Sequence, residues 1–254
     1  MRSKHQKEKK SYKKIIIIVL SIIIVISVLF IIYNLNKDKK LNKEMDNLID
    51  NIQVTPTAEK TEMMLKLEEL QKNNSEIVAW IEISGTNINY PVLQTENNDY
   101  YMTHDYKKEY SKNGSIFLDK DYDWDIPSSN LLLYGHNNKN GTMFQDLQKY
   151  KEENFCKEHP TIKLTTNKED VEYEIIAVFL SRVYYKSETD VFRYYYFINA
   201  ENEEEYNEYV ANSKKASLYD TGKTAEYGDQ LLTLSTCSYH TEDGRLAVVA
   251  KKIK

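Results

Sequence analysis

The strongest constraint on this chain is an apolar run close to its N-terminus. Residues 15–32 have the sequence IIIIVLSIIIVISVLFII, in which two serines are the only polar side chains. As an α-helix that rises about 1.5 Å per residue, the run is about 27 Å long, close to the ~30 Å thickness of the hydrocarbon core of a bilayer. A core helix of a soluble protein keeps a polar face, which this run lacks. The run therefore predicts a transmembrane helix.

The length of the run and the residues that flank it distinguish a permanent anchor from a cleaved signal peptide. A signal peptide has an apolar stretch of about 7–15 residues followed by a cleavage site with small side chains. Here the run is longer and leads into YNLNK, which offers no such site. Seven basic side chains precede the run, against one acidic side chain, and this bias retains an N-terminus in the cytoplasm. We expect a cytoplasmic basic leader over residues 1–14, a signal anchor over 15–33 and an extracytoplasmic body.

The body that follows the anchor is acidic. The chain has 34 Lys and Arg against 39 Asp and Glu, and because most of the N-terminal charges are basic, residues 33–254 carry a net charge of −11. A surface of this sign repels a phosphate backbone, so no nucleic-acid partner is expected. The 254 residues include only seven glycines, which argues against glycine-rich phosphate loops.

Residues 34–74 are predicted to form a helical region between the anchor and the rest of the body. Apolar side chains recur at helical spacing over residues 36–52, which predicts an amphipathic helix. Thr55 and Pro56 fit the N-cap and the first position of a second helix, which ends at two asparagines. The predicted apolar face of this second helix consists of Met63, Leu67 and Leu70.

Beyond residue 74 the apolar period changes from 3.6 to two, which is typical of β-strands. The predicted strands are 77–83, 87–93, 115–119, 130–135, 161–166, 171–180, 230–237 and 245–252. Eight short strands with turn signals between them predict a mainly β domain over residues 75–254, either a closed barrel or a sandwich. One helix, over residues 201–214, is predicted between the sixth and seventh strands.

Three reactive side chains are expected near the ends of these strands. Cys237 ends the seventh strand, and strand alternation places Thr233 and Ser235 on its face, which suggests the wall of a groove. A short turn then returns the chain to Arg245, beside the thiol on the neighbouring strand. His136 follows an apolar strand and a glycine. On position alone, the arginine also fits a solvent-directed edge residue and the histidine a structural one.

Together a thiol, an imidazole and a guanidinium supply what acyl transfer through a thioester requires. A thiol at its reference pKa of about 8.5 is mostly protonated at neutral pH, and neighbouring cations favour the thiolate. Histidine can protonate a leaving amine, and a guanidinium can stabilise the oxyanion of a tetrahedral intermediate. The competing interpretation, a metal site, is disfavoured because the sequence has neither CxxC nor HxxxH spacing.

The motifs that carry these residues resemble those of a known family. The segments LLLYGHNN…MFQDLQKY and LLTLSTC…GRLAVV are similar to the histidine and TLxTC/arginine signatures of sortases. The resemblance is greatest to class B, whose N-terminal barrel region is similar to WIEISGTNINYPVLQ followed by NDYYMTHDYKKEYSKNGSIFLD. A helix between the sixth and seventh strands also suits class B. The resemblance extends over about residues 36–254.

This resemblance implies an eight-stranded sortase barrel and a membrane-anchored cysteine transpeptidase of Gram-positive bacteria. Such enzymes cleave a C-terminal sorting signal of a surface protein after threonine, hold the protein as a thioester and pass it to an amine of a peptidoglycan precursor. By resemblance, Cys237 is the nucleophile, His136 the acid and base, and Arg245 the oxyanion or substrate-threonine contact. Ser235 and Thr236 are expected to bind substrate. The resemblance implies neither a metal nor an organic cofactor.

Several alternatives remain open at the level of sequence. The same site fits an extracytoplasmic cysteine protease with water as the acceptor, or a sortase that assembles pilins. A non-catalytic surface module, in which the 21 tyrosines serve binding, is a further alternative. Cys156 is expected to be a free, buried, non-catalytic thiol, and the alternative outside the cell is a disulfide with Cys237. The sequence offers no obvious acidic residue to complete a triad with His136.

Overall fold

The computed structural model describes residues 2–57, 59–126 and 128–253. The chain divides into two compact units, Met1–Gln53 and Val54–Lys254. The first unit contains helix α1, Arg2–Asn51, so the segment predicted as an amphipathic helix continues the apolar helix without a break. Within α1, Ile16–Asn34 has a mean hydropathy of 3.4 and is long and apolar enough to cross a membrane.

The second helix ends where predicted but begins later. Helix α2 spans Glu62–Asn73, and its N-cap is Thr61, whose hydroxyl accepts a hydrogen bond of 3.3 Å from the backbone N–H of Met64. The prediction that Thr55 and Pro56 begin this helix is wrong, because the described residues between α1 and Thr61 are not helical. The buried side chains of α2 are Met64, Leu67 and Leu70, with Met64 in the place predicted for Met63.

The second unit is built around a closed eight-stranded barrel, as the resemblance implied. The strands are β1 (Ile77–Glu82), β2 (Asn89–Leu93), β3 (Ile116–Leu118), β4 (Asn130–Tyr134), β5 (Thr161–Thr165), β6 (Asp170–Arg182), β7 (Leu231–Cys237) and β8 (Gly244–Lys252). Each lies within about two residues of its predicted bounds, because the alternation of apolar side chains and the turn residues define them together. Helix α3 (Glu153–Glu158) precedes β5, and α4 (Glu203–Ala216) lies between β6 and β7, as predicted.

The strand order brings distant parts of the chain together at one edge. Around the barrel the order is β1-β2-β3-β4-β7-β8-β6-β5. The β4–β7 pair is parallel, with Tyr134 opposite Ser235, so both strands point their carboxyl ends in the same direction. The β7–β8 pair is antiparallel, with Cys237 opposite Arg245. The end of β7 is therefore flanked by the end of β4 on one side and the start of β8 on the other.

Two apolar cores support this edge. The first fills the barrel and includes Leu232, Leu234 and Val248. The second lies outside it, where α4 and the 3₁₀ turn Tyr194–Tyr196 cover the other face of β7. Thr233 is fully buried in that second core, and its hydroxyl is 2.8 Å from the hydroxyl of Tyr209. The prediction that Thr233 belongs to a groove wall is therefore wrong, because the tyrosine of α4 covers it.

Candidate active site

A cleft of about 450 Å³ lies at the carboxyl ends of β4 and β7. All five predicted site residues line it: His136, Ser235, Thr236, Cys237 and Arg245. Its apolar lining consists of Met102, Phe117, Val183 and the rings of Tyr194 and Tyr195. The strand order thus gathers residues that are more than 100 positions apart in the sequence at one concave, mostly apolar site of the kind that binds a peptide-sized ligand.

Cys237 is the last residue of β7, and its backbone is held from the loop that follows β4. Its carbonyl oxygen accepts hydrogen bonds from Nδ2 of Asn137 at 2.9 Å and from Nε2 of Gln148 at 3.2 Å. The residue is half-buried, so its thiol is supported by the barrel and still borders the cleft. These amide contacts fix the direction in which the strand ends.

His136 reaches the thiol side of the cleft because β4 and β7 run in parallel. Tyr134 is opposite Ser235, and the backbone N–H of Gly135 continues the pairing by donating to the carbonyl of Ser235 at 3.2 Å. His136 lies two residues after Tyr134, and Cys237 lies two residues after Ser235. Because Tyr134 and Ser235 are paired in parallel strands, His136 and Cys237 follow at the same end of the sheet. The imidazole is half-buried, and its Nε2 lies 2.8 Å from the carbonyl oxygen of Met102.

Close packing against Phe144 requires a glycine at residue 135, directly before the histidine. A Cβ atom at Gly135 would lie 2.7 Å from the ring of Phe144, closer than real contacts allow. Phe144 is fully buried, and its backbone N–H donates to the carbonyl of His136 at 2.9 Å. The absence of a side chain at residue 135 thus lets the chain after β4 turn over a core phenylalanine and present the imidazole.

Arg245 is the cross-strand partner of Cys237. Residues directly opposite in an antiparallel pair extend their side chains from the same face of the sheet, with Cβ atoms about 4.5–5.5 Å apart. Nη1 of the guanidinium donates to the carbonyl oxygens of Asp243 at 3.2 Å and Gly244 at 3.0 Å. The arginine thus begins beside the thiol, and its charged end contacts the backbone of its own turn.

The two hydroxyls predicted to bind substrate are engaged within the protein. The hydroxyl of Ser235 is 2.7 Å from that of Tyr194, and the hydroxyl of Thr236 donates to the carbonyl of Gly135 at 2.7 Å. Burial raises the pKa of Tyr194 to about 12, so its phenol is neutral at physiological pH. Ser235 and Thr236 line the cleft, and their hydrogen bonds fix the shape of its wall.

A second set of polar groups borders the cleft near β4. The hydroxyl of Tyr134 and the amide Nδ2 of Asn98 each lie 2.9 Å from Oδ2 of the buried Asp119. Burial, and then the neighbouring Asp119 carboxylate, raise the pKa of Tyr134, so its phenol stays protonated and donates to that carboxylate. Within residues 2–57, 59–126 and 128–253, no group of three or more His, Cys, Asp or Glu is placed to hold a metal ion.

Some residues of the site were not anticipated from the sequence. Asn137 and Gln148 hold the backbone of Cys237. Both lie within the motif that carries the histidine, so their position in that motif could have identified them as site residues. Tyr194 comes from the segment between β6 and β7, where no motif pointed to the cleft. Met102 contributes a backbone oxygen, an atom that every residue has and that no sequence pattern distinguishes.

Both cysteines are free, as expected for Cys156. Cys156 lies in α3 with 6% of its surface exposed, and burial raises the pKa of its thiol. Cys237, in contrast, borders the open cleft. The two thiols therefore provide an internal comparison of reactivity.

We predict that iodoacetamide at neutral pH alkylates Cys237 and leaves Cys156 unmodified, because only a thiolate that the reagent can reach reacts rapidly. Peptide mass spectrometry of the labelled full-length protein measures both sites. Labelling in denaturant, where both residues should react, is the control. Equal modification of the two thiols in the native protein would contradict this assignment of exposure.

Known proteins are similar to this chain in sequence and in fold. A sequence profile of the sortase domain matches residues 81–253, a range that includes every residue that lines the cleft. Sortase B of Listeria monocytogenes is 34% identical over 222 residues, which are 84% of this chain and 86% of that protein. The chain belongs to the sortase family.

Solved structures place this sortase with class B. Sortase B from Bacillus anthracis superimposes with a TM-score of 0.73 and 32% identity, over 87% of this chain and 99% of that chain. A sortase B complexed with triglycine superimposes with a TM-score of 0.69 and 29% identity, over 85% of this chain and 95% of that chain. The predicted family, class and barrel fold are confirmed.

Proposed function

We propose that this sortase cleaves the C-terminal sorting signal of a surface protein after threonine and transfers the protein to an amine of a peptidoglycan precursor. The observation that carries the proposal is the single cleft lined by Cys237, His136 and Arg245. A thiol nucleophile, a proton carrier and a fixed cation are the minimum set for acyl transfer without a cofactor.

In the proposed first half-reaction, Cys237 starts as the thiolate and His136 in its protonated form, and Sγ of Cys237 attacks the carbonyl carbon of the substrate threonine. The C–S bond forms, and Arg245 stabilises the negative charge that develops on the carbonyl oxygen. The amide C–N bond then breaks, and His136 gives a proton to the departing amine. The product is a thioester between the threonine carbonyl and Cys237, and the C-terminal part of the sorting signal leaves.

In the proposed second half-reaction, an acceptor amine attacks the thioester carbonyl. His136 takes the proton from the amine, the C–S bond breaks, and the thiolate of Cys237 is restored. Support for an amine acceptor comes from the structural relative solved with triglycine, a peptide that carries a free amine. In this chain the corresponding acceptor is proposed to be an amine of the peptidoglycan cross-bridge or its precursor.

The proposed placement in the cell follows from the N-terminal helix. Ile16–Asn34 is the candidate membrane span, and the basic leader over residues 1–14 is proposed to face the cytoplasm. The anchor over 15–33 and the helical region over 34–74 would then precede an extracytoplasmic catalytic domain over 75–254. This location gives the cleft access to surface proteins and to wall precursors.

The test is a competition between water and an amine for the acyl-enzyme. The full-length protein in proteoliposomes is incubated with a library of peptides that contain one threonine at a fixed position, either alone, with triglycine, or with triglycine and a lysine-containing peptide as competing acceptors. We expect cleavage after threonine and, when triglycine is present, a threonine–triglycine amide in place of the free acid. Mass spectrometry of the products measures the ratio of the two.

The outcomes separate the remaining functions. If the free acid is the sole product at every triglycine concentration, water is the acceptor and the enzyme is a cysteine protease. If no peptide is cleaved and Cys237 resists alkylation, the non-catalytic interpretation is favoured. A lysine side-chain amine in place of triglycine as the preferred acceptor would indicate assembly of pilins.

A further inference from the structure

The contact between His136 and Met102 determines which ring nitrogen carries a proton. Nε2 of the imidazole lies 2.8 Å from the backbone carbonyl oxygen of Met102. A carbonyl oxygen only accepts hydrogen bonds, so Nε2 must be the donor. In the neutral ring a proton on Nε2 leaves the lone pair on Nδ1.

We infer that the backbone carbonyl of Met102 is the positioning group for His136. It holds the ring in the Nε2–H tautomer and assigns Nδ1 as the atom that exchanges a proton with the substrate. This inference rests on the proposed acid and base role of His136. In many catalytic sites a carboxylate orients the histidine, whereas here an uncharged oxygen does so. The missing acidic partner noted in the sequence is thus replaced by a main-chain atom.

The Met102 carbonyl is itself fixed by the turn to which it belongs. Met102 ends the 3₁₀ turn Tyr100–Met102, and the Tyr101 side chain beside it is 1% exposed. The hydroxyl of Tyr101 donates to Oε2 of Glu76 at 2.6 Å, and its carbonyl accepts from the backbone N–H of Ser115 at 2.9 Å. The side chain of Met102 is exposed and borders the cleft, and its contact with the imidazole is made by the backbone carbonyl.

Gly114 completes the arrangement by leaving room for the ring. Its φ of +58° lies in the left-handed region that favours glycine. A Cβ atom at this position would lie 2.7 Å from the carbonyl oxygens of Tyr101 and Met102, and 2.9 Å from Cδ2 of His136. Cδ2 is the carbon next to Nε2, so any side chain at residue 114 would separate the two partners of the hydrogen bond.

The direct test is the tautomer of His136 in the intact protein. Full-length protein labelled with ¹⁵N-histidine is reconstituted in proteoliposomes and measured by ¹⁵N NMR. The ring-nitrogen signals of His136 are assigned by their loss in the His136→Gln variant. With the ring neutral, we expect a protonated, pyrrole-type Nε2 and an unprotonated, pyridine-type Nδ1. A proton on Nδ1, or an equal mixture of the two tautomers, would overturn the inference.

The second test compares two glycines that share a backbone conformation. Gly114→Ala should reduce kcat/KM at least about tenfold, because small displacements of a catalytic group carry large rate penalties, and should alter the Nε2 signal. Gly222→Ala is the matched control: its φ is +69°, and nothing lies within 4 Å of the added Cβ. The control bears the same backbone strain, so we expect activity and signal close to those of the wild type.

The two tests distinguish this inference from the proposed function. If Gly114→Ala matches Gly222→Ala in both rate and spectrum, the positioning role is wrong even if the enzyme is a transpeptidase. If His136→Gln retains full transpeptidation, the acid and base role is wrong, whatever the tautomer. If Gly114→Ala fails to fold, the tautomer of the wild-type protein decides the question.

Discussion

Replacing Cys237 with alanine should abolish transpeptidation and leave the fold intact. The loss should be at least about 10³-fold in kcat/KM, since removal of the proposed nucleophile forces catalysis through a different path. The hydrogen bonds from Asn137 and Gln148 go to the carbonyl of residue 237, which alanine keeps, so the end of β7 should retain its position. Product formation and intact-protein mass spectrometry for the acyl-enzyme measure the effect, and thermal unfolding monitors the fold.

Cys156→Ala is the matched control, because the chain has two cysteines and each substitution makes the same chemical change, the loss of one thiol group. Cys156 packs in the barrel core and interacts with the hydroxyl of Tyr219. Its replacement should lower the free energy of unfolding by about 1 kcal/mol, a typical effect of a small core truncation, and preserve activity. Transpeptidation that survives Cys237→Ala would remove Cys237 from the proposed mechanism, and loss of transpeptidation in Cys156→Ala with the fold retained would contradict the non-catalytic assignment of Cys156.

The barrel was predictable because its signals are local. Each strand combines a period of two with a turn residue at its end, and the observed bounds follow those signals closely. The pairing of β7 with β8 was expected from the short turn between them, which places Arg245 beside the thiol. The parallel pairing of β4 with β7 was not available from periodicity, because it joins segments far apart in sequence. The convergence of His136 on Cys237 was therefore expected from the resemblance, and the strand order now provides its physical basis.

The sequence predictions that failed did so where tertiary contacts override local pattern. Thr233 was assigned to a groove wall because a small hydroxyl is unusual in a core, yet Tyr209 covers it and satisfies its hydrogen bond. Thr55 and Pro56 fit a helix start by residue type, but α2 begins after Thr61, six residues later. Met102 could not be identified at all, since its contact with the imidazole uses a main-chain oxygen.

Arg245→Lys should lower transpeptidation nearly as much as Arg245→Ala, by about 10²–10³-fold, the usual effect of losing one oxyanion donor. Lysine keeps the positive charge but not the planar fork of donors, and its ammonium is a more strongly hydrated point charge. The comparison of the two variants therefore isolates geometry from charge. Steady-state rates with the triglycine acceptor measure both, and unfolding experiments check that the turn carrying residue 245 is retained.

The split between kcat and KM then assigns the arginine to one of its two expected roles. An oxyanion contact is made in the transition state, so its loss lowers kcat with little change in KM, whereas a contact with the substrate threonine is already present in the bound complex and its loss raises KM. The guanidinium now donates to the carbonyls of Asp243 and Gly244, and both are acceptors that a developing oxyanion must outcompete. A charged oxygen does so because it is attracted to the guanidinium as an opposite charge, whereas the two backbone carbonyls are neutral acceptors. Full activity in Arg245→Lys would mean that charge alone suffices, and the forked oxyanion contact would have to be abandoned.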